Sequence, residues 1–200
     1  MAWLLSFKNS RYGMSYRNGN YCAFYVAEPF HEGNLGAHAT KDFVYYNMLR
    51  MWEAKDKTFP FIDSHDKTYN VRDGSDWEKT LKPRLHQRLK HSKNIVLFLS
   101  SLTKSSQALV KEIDYGINEL NLPVIVIYPE YNTAQSLLED GNLKHSLKDL
   151  WGKLPIFRSS MSSVPTLHVP LDKALITRAL GDNDLTVNGK IDSGAYHYTS

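Results

Sequence analysis

The sequence predicts an α/β domain built on a doubly wound, mainly parallel sheet of about five strands, with helices on both faces. Three observations carry that prediction. The runs Tyr21–Ala27, Ile95–Leu99 and Leu122–Tyr128 are apolar without polar alternation, as expected of strands buried on both faces of a parallel sheet. Apolar stripes of helical period separate them, and strand–helix alternation implies right-handed crossovers between parallel strands. The 200 residues, 42% hydrophobic and 22% charged, suit one globular domain with a sizeable core.

Residues 1–20 are rich in turn formers (Asn9, Ser10, Gly13, Asn18, Gly19, Asn20) and read as an N-terminal arm. The first strand, Tyr21–Ala27, is followed by a Gly-, His- and Asn-rich loop and a helix over Lys41–Lys55, striped by Val44, Met48 and Trp52. Phe59–Asp63 is a short edge strand, since Pro60 has no N–H for a central ladder. After a polar loop, Ser75 to Glu78 has the form of a capping box, and Trp77, Leu81, Leu85 and Leu89 stripe a helix. Pro83 inside that stripe requires either a helix start near Thr80 or a kink.

The third strand, Asn94–Ser100, leads through a serine turn into a helix whose core face is Leu109, Ile113, Gly116, Ile117 and Leu120. Leu122–Tyr128 is the fourth strand and Thr166–Val169 the fifth. Leu137–Leu138, Leu147–Leu154 and Leu171–Leu180 read as helical, and residues 181–200 as a polar tail. The domain thus spans 21–180, with a core of 21–131 and a decorated part of 132–180.

Several function classes find no support. A net charge of +3 is too mild for a nucleic-acid binder, and the basic run Lys79–Lys93 reads as a solvated helix face. The single cysteine, Cys22, lies in an apolar run and reads as a small core hydrophobe in a reducing compartment. No apolar run approaches the ~20 residues that span a bilayer, so a cytoplasmic location without membrane contact is expected. The eight histidines include no H-x-x-x-H pair, and Asp63-Ser64-His65-Asp66 reads as turn chemistry rather than a metal loop. There is no G-x-x-x-x-G-K-[ST], G-x-G-x-x-G or G-x-S-x-G. The acidic residues of a phospho-receiver are missing from the ends of strands one and three. Neither a metal nor a cofactor is expected.

Ligands of open α/β sheets bind outside the carboxyl ends of the strands, which directs attention to Lys93–Gly116. On its helix Ser105, Ala108 and Glu112 lie at i, i+3 and i+7, a stripe at the margin of the core face. On spacing alone the plainer reading of Glu112 is a solvated helix glutamate. The order of segments across residues 61–128 favours the other reading. It runs Phe61-Ile62-Asp63, Gly74, Leu81, Leu85, Leu89, Ser92, Ile95 to Ser100, Ser106 and Glu112-Ile113.

That order resembles a Toll/interleukin-1 receptor (TIR) domain of the divergent bacterial branch, over roughly Tyr21–Tyr131. The extended first loop, the Phe61–Thr68 segment and the C-terminal extension are similar to the TIR proteins of the bacterial Thoeris anti-phage system. The resemblance implies a flavodoxin-like sheet, with NAD as substrate cleaved at the nicotinamide–ribose bond. It also implies release of a cyclic ADP-ribose-type signal that activates a partner NAD-depleting effector, ThsA. Glu112 is then the catalytic residue, and Ala27, Glu28, Asp63, Ser101, Ser105 and Ala108 the substrate-binding set. Ser101 and Ser105 line the pocket; Ala27, Glu28 and the Ser64–Gly74 loop form its rim. Two positions depart from the family pattern: Ala108 stands where many catalytic TIR domains carry Trp, and Val26 and Ala27 replace a polar residue near the end of strand one. Two other readings stand beside this one. One is a non-enzymatic adaptor acting through TIR–TIR self-association; the other is a deoxyribosyltransferase-like enzyme that also uses a glutamate.

Overall fold

A computed structural model describes residues 17–25, 41–65 and 77–199. Its centre is a five-stranded, wholly parallel sheet. In chain order the strands are β1 (Gly19–Ala23), β2 (Ser92–Phe98), β3 (Val124–Tyr128), β6 (Pro165–Pro170) and β7 (Gly194–His197), and they lie side by side in that same order. A two-stranded hairpin, β4 (Leu138–Glu139) with β5 (Asn142–Leu143), stands apart from it. The helices are α1 (Lys41–Lys55), α2 (Lys82–Lys90), α3 (Gln107–Asp114), α4 (His145–Gly152), α5 (Pro155–Ser160) and α6 (Lys173–Gly181).

Outside β1 runs the segment Phe59–Asp63. The expected edge strand is reduced to a single parallel bridge, Asn20 to Asp63, with Asn20 N–H donating to Ile62 O at 2.6 Å. Asn20 makes a second tie, its side-chain oxygen accepting from Ile62 N–H at 2.8 Å. With this segment counted, the spatial order is second, first, third, fourth, fifth, the flavodoxin-like order whose switch point lies between β1 and β2.

Burial follows the alternation of a strand covered on both sides. Ile95, Leu97 and Leu99 face one layer with Tyr21, Leu85, Leu89, Leu109 and Ile113. Val96 and Phe98 face the other with Cys22, Tyr46, Leu49, Ile176 and Leu180. So α2 to α5 cover one face, and α1 and α6 the other.

Pro83 falls in the first turn of α2, where a missing N–H costs least; α2 begins at Lys82, close to the start near Thr80 that the sequence allows. Three local features were not foreseen. A π-helical turn over Trp77–Leu81 precedes α2. β1 begins at Gly19, two residues inside the expected arm. Residues 181–200, expected as a polar tail, contribute β7, which pairs His197 with His168.

Gly116 sits in the π-helical turn Tyr115–Glu119 that continues α3, where a Cβ would overlap Cδ1 of the fully buried Ile95 and touch Leu89 Cδ2 at 3.4 Å. Gly116→Ala is expected to cost about 1–3 kcal/mol through overpacking, read as a lowered midpoint in urea unfolding.

Candidate functional site

Ser106 caps α3, its hydroxyl accepting from Leu109 N–H at 3.3 Å. Glu112 lies six residues on, roughly 9 Å down the helix axis at about 1.5 Å per residue. The helix runs back along the sheet, so the carboxyl group arrives beneath the rim, against the middle of β1. There the Tyr21 hydroxyl, on the residue paired with Ile95, donates to Glu112 Oε1 at 2.9 Å. The stripe foreseen in the sequence makes this descent: Ser105 is exposed, Ala108 half-buried, and Glu112 carries its carboxyl into the protein.

Burial dominates the electrostatics of that carboxyl. Desolvation pushes Glu112 up to about 8, against the opposing effects of the Tyr21 hydrogen bond and the Arg88 positive charge. Tyr21 is pushed well above the ordinary phenol range, first by burial and then by Glu112, so it stays a neutral donor. Glu112 is therefore largely neutral in the resting protein at neutral pH, and a nearby positive charge would draw its proton off.

Around this pair the fold places two groups that were not among the expected site residues. Arg88 comes from α2, on the margin of the Leu85–Leu89 stripe. His65 comes from the turn after the Asp63 bridge; its ring lies 4.6 Å from that of Tyr21, and its Nε2 is 3.0 Å from Cys22 O. An Arg88 Nη1 sits 3.4 Å from His65 Nδ1. The signal for Arg88 was present: it lies three residues after Leu85 and one before Leu89, at the edge of a core-facing stripe. For His65 no periodic signal exists.

The proposed substrate-binding residues scatter. Asp63 accepts from the Tyr46 hydroxyl at 2.6 Å and from His65 N–H at 2.8 Å, with Arg50 Nε 3.5 Å away. It lines an open groove of about 620 Å³ between α1 and the Phe59–Asp63 segment, with Asn47, Arg50, Met51 and Ile62. Glu112 is not part of that groove. Ser101 is exposed, its N–H and hydroxyl donating to the Glu130 carboxylate while its carbonyl accepts from Lys153 Nζ at 3.0 Å. Those contacts turn it towards β3. Ala27 and Glu28, and most of the Ser64–Gly74 loop, lie outside the described residues.

At the switch point itself stands an acid that the sequence reading passed over. Asp42, in the first turn of α1, is fully buried. It accepts from Ser100 Oγ at 3.0 Å and from Thr103 Oγ1 at 3.2 Å. Burial raises its pKa, opposed by those two bonds and one from the Tyr25 backbone. Asp42 thereby ties the ends of β1 and β2 to α1.

The spatial order of the strands, the switch point and the position of Glu112 on the helix after β2 agree with the motif order in the sequence. The family model for the Thoeris protein ThsB, TIR-like domain, matches residues 21–134, a span that contains Tyr21, Asp42, His65, Arg88 and Glu112. Matched over more than half its length, the chain belongs to the family of ThsB TIR-like domains.

Proposed function

We propose that this protein cleaves NAD at the nicotinamide–ribose bond, with Glu112 as the catalytic residue, and releases a cyclic ADP-ribose-type product. The observation that carries this reading is the Glu112 carboxyl, held by Tyr21 in a desolvated niche below the switch point. In this reaction the bond between ribose C1′ and the nicotinamide nitrogen breaks. Its electron pair goes to the leaving nicotinamide, and positive charge develops on the ribose. An ionised Glu112 beside that charge stabilises it, and more strongly in a site that excludes water. A hydroxyl from elsewhere on the same ADP-ribosyl unit then bonds to C1′, and Glu112 takes up the hydroxyl proton. A carboxyl with a pKa near the working pH suits both states. Attack by water instead would yield ADP-ribose.

In the cell the cyclic product would activate ThsA, placing the chain as the signal-generating arm of an anti-phage response. NAD is the substrate, and the residues around Glu112 need no added cofactor for this chemistry.

Incubation of the full chain with NAD, resolved by chromatography and mass spectrometry, is expected to show nicotinamide and a cyclic product. Lysate from phage-infected cells is added in a parallel arm to supply any infection signal. Because the ionised carboxyl is the working form, kcat/KM should rise with pH through about 8, the value for the free protein. Product formation by Glu112→Gln at the wild-type rate would overturn the assignment. Absence of nicotinamide from the wild type in both arms would favour the adaptor reading, for which the exposed Met51 and Ile62 beside the α1 groove offer a docking surface.

A further inference from the structure

We infer that His65 is a positioning residue for Glu112: its neutral imidazole holds the Arg88 guanidinium beside the carboxyl and fixes the Tyr21 ring that donates to it. This inference rests on the catalytic reading of Glu112, and it concerns a residue in the turn after the Asp63 bridge rather than in the helix that carries the acid.

Hydrogen-bond direction determines the tautomer. Cys22 O is a carbonyl and only accepts, so the imidazole nitrogen 3.0 Å from it, Nε2, carries the proton. Arg88 Nη1 only donates, so the Nδ1 it approaches at 3.4 Å presents its lone pair. One neutral tautomer satisfies both partners, and protonation of the ring would set an N–H against a guanidinium. Burial, opposed by Asp63 and seconded by Arg88, holds His65 down at about 4. The ring therefore stays neutral over the range in which Glu112 titrates.

The turn that carries His65 is itself anchored. Asp63 accepts from His65 N–H and from the Tyr46 hydroxyl, and Arg50 lies beside it. Tyr46 also meets the imidazole edge-on, ring centroids 5.8 Å apart, while Tyr21 packs on it at 4.6 Å. Among the described residues, the charged and titratable groups around the ring are Tyr21 and Cys22 from β1, Arg88 from α2, Asp63 from its own turn, and Tyr46 and Arg50 from α1. Of these, Tyr21 and Arg88 also act on Glu112. His65 touches both. Through it, the segment at the sheet edge bears on the acid across the strand.

Carboxyl-carbon NMR of the full chain with 13C-labelled glutamate tests this without relying on turnover. The Glu112 resonance is identified by its loss in Glu112→Gln. Glu112 should titrate near 8 in the wild type. His65→Phe keeps the ring contact but neither nitrogen, and should raise that midpoint by about one pH unit as the opposing charge loses its hold. His65→Gln offers an amide N–H for Cys22 O and an oxygen for Arg88, and should leave the midpoint close to the wild-type value. In an Arg88→Met background, His65→Phe should shift it little further. The kcat/KM profile for nicotinamide release should move with the midpoint in each variant.

An unmoved midpoint in His65→Phe, or an equal shift in His65→Gln, would overturn the inference. Should His65→Phe fail to fold, His65→Asn, too short to span Cys22 O and Arg88, makes the same comparison against His65→Gln. If no variant and no wild-type sample releases nicotinamide, the NAD reading fails while the midpoints still decide the role of His65.

Discussion

Replacing Glu112 with Gln is expected to do two opposite things: abolish most of the nicotinamide release and make the protein more stable at alkaline pH. The activity loss should be on the order of 10²–10³-fold, the range found when one preorganised group facing transition-state charge is removed. Stability runs the other way because of the direction of the pKa shift. The carboxyl titrates near 8 when folded, against 4.5 for the free side chain. Between those values the unfolded chain has lost the proton that the folded chain keeps. The folded state binds more protons there, so stability falls as pH rises from about 4.5 to about 8 and then levels. At about 1.4 kcal/mol per unit, the accumulated penalty by pH 8 is at most on the order of 4 kcal/mol. Gln carries no charge to desolvate, and its oxygen still accepts from Tyr21. Urea unfolding should therefore show little difference between variant and wild type at pH 4.5 and a clear gain for the variant at pH 8. A structural glutamate would show the reverse, a loss of stability on substitution. The paired measurement separates a strained functional acid from a salt-bridged surface one.

The fold was largely legible because its strongest elements obey one rule throughout. Ile95 to Leu99 are wholly buried, and a short unbroken apolar run closed by serines is what a central strand of a parallel sheet produces. The core face of α3 and its π-helical continuation was equally clear, since Leu109, Ile113, Gly116 and Ile117 keep the helical period and are all buried. β7 could not be read this way. Gly194-Ala195-Tyr196-His197 is four residues long, partly exposed and without a pattern, and the register with β6 alone makes it a strand. The Phe59–Asp63 segment shows the opposite error of degree. Pro60 marked it correctly as an edge, but pairing survives only where Asn20 supplies both a backbone and a side-chain partner.

The site was legible one residue at a time. Glu112 was found because its helix has a period and the family order fixes its place. Its surroundings come from elements distant in sequence: Tyr21 lies 91 residues away and looked like one apolar strand residue among several. Arg88 belonged to a run, Lys79–Lys93, that reads as solvated charge. Yet Lys93 in the same run is half-buried and donates to Leu180 O at 3.1 Å, so the run is not uniformly a surface. Charge at the margin of an apolar stripe is the feature Glu112 and Arg88 share. Two such residues on adjacent helices, facing the same strand, amount to a pair only once the topology makes the helices neighbours.

Asp42→Ala should be the most destabilising single substitution at the mouth of the site, by about 2–5 kcal/mol, since it leaves two buried hydroxyl donors unpartnered at about 1–3 kcal/mol each. The reason is the commitment of its donors. The Ser100 hydroxyl gives its proton to Asp42 while accepting from Leu102 N–H at 3.2 Å; that of Thr103 gives its proton to Asp42 while accepting from Ser100 N–H at 2.9 Å. Both hydroxyls are buried, and neither can turn to water when the acid is gone. Asp42→Asn is nearly the same size and uncharged, so it separates charge from geometry. Its amide nitrogen would face one of these hydroxyl protons, donor against donor, and it should retain only part of the stability. The two variants should also differ from Glu112→Gln in kind. Loosening the tie between Tyr25, Ser100 and α1 unsettles the ends of both strands that flank the switch point. Nicotinamide release should then fall through a raised KM as well as a lowered kcat, with the pH midpoint near 8 unchanged, because Glu112 keeps Tyr21 and Arg88. Thermal unfolding and steady-state kinetics on the same samples check both parts. A shifted midpoint in Asp42→Asn would mean that the rim and the acid below it are electrostatically coupled, rather than joined only through the backbone of β1 and β2.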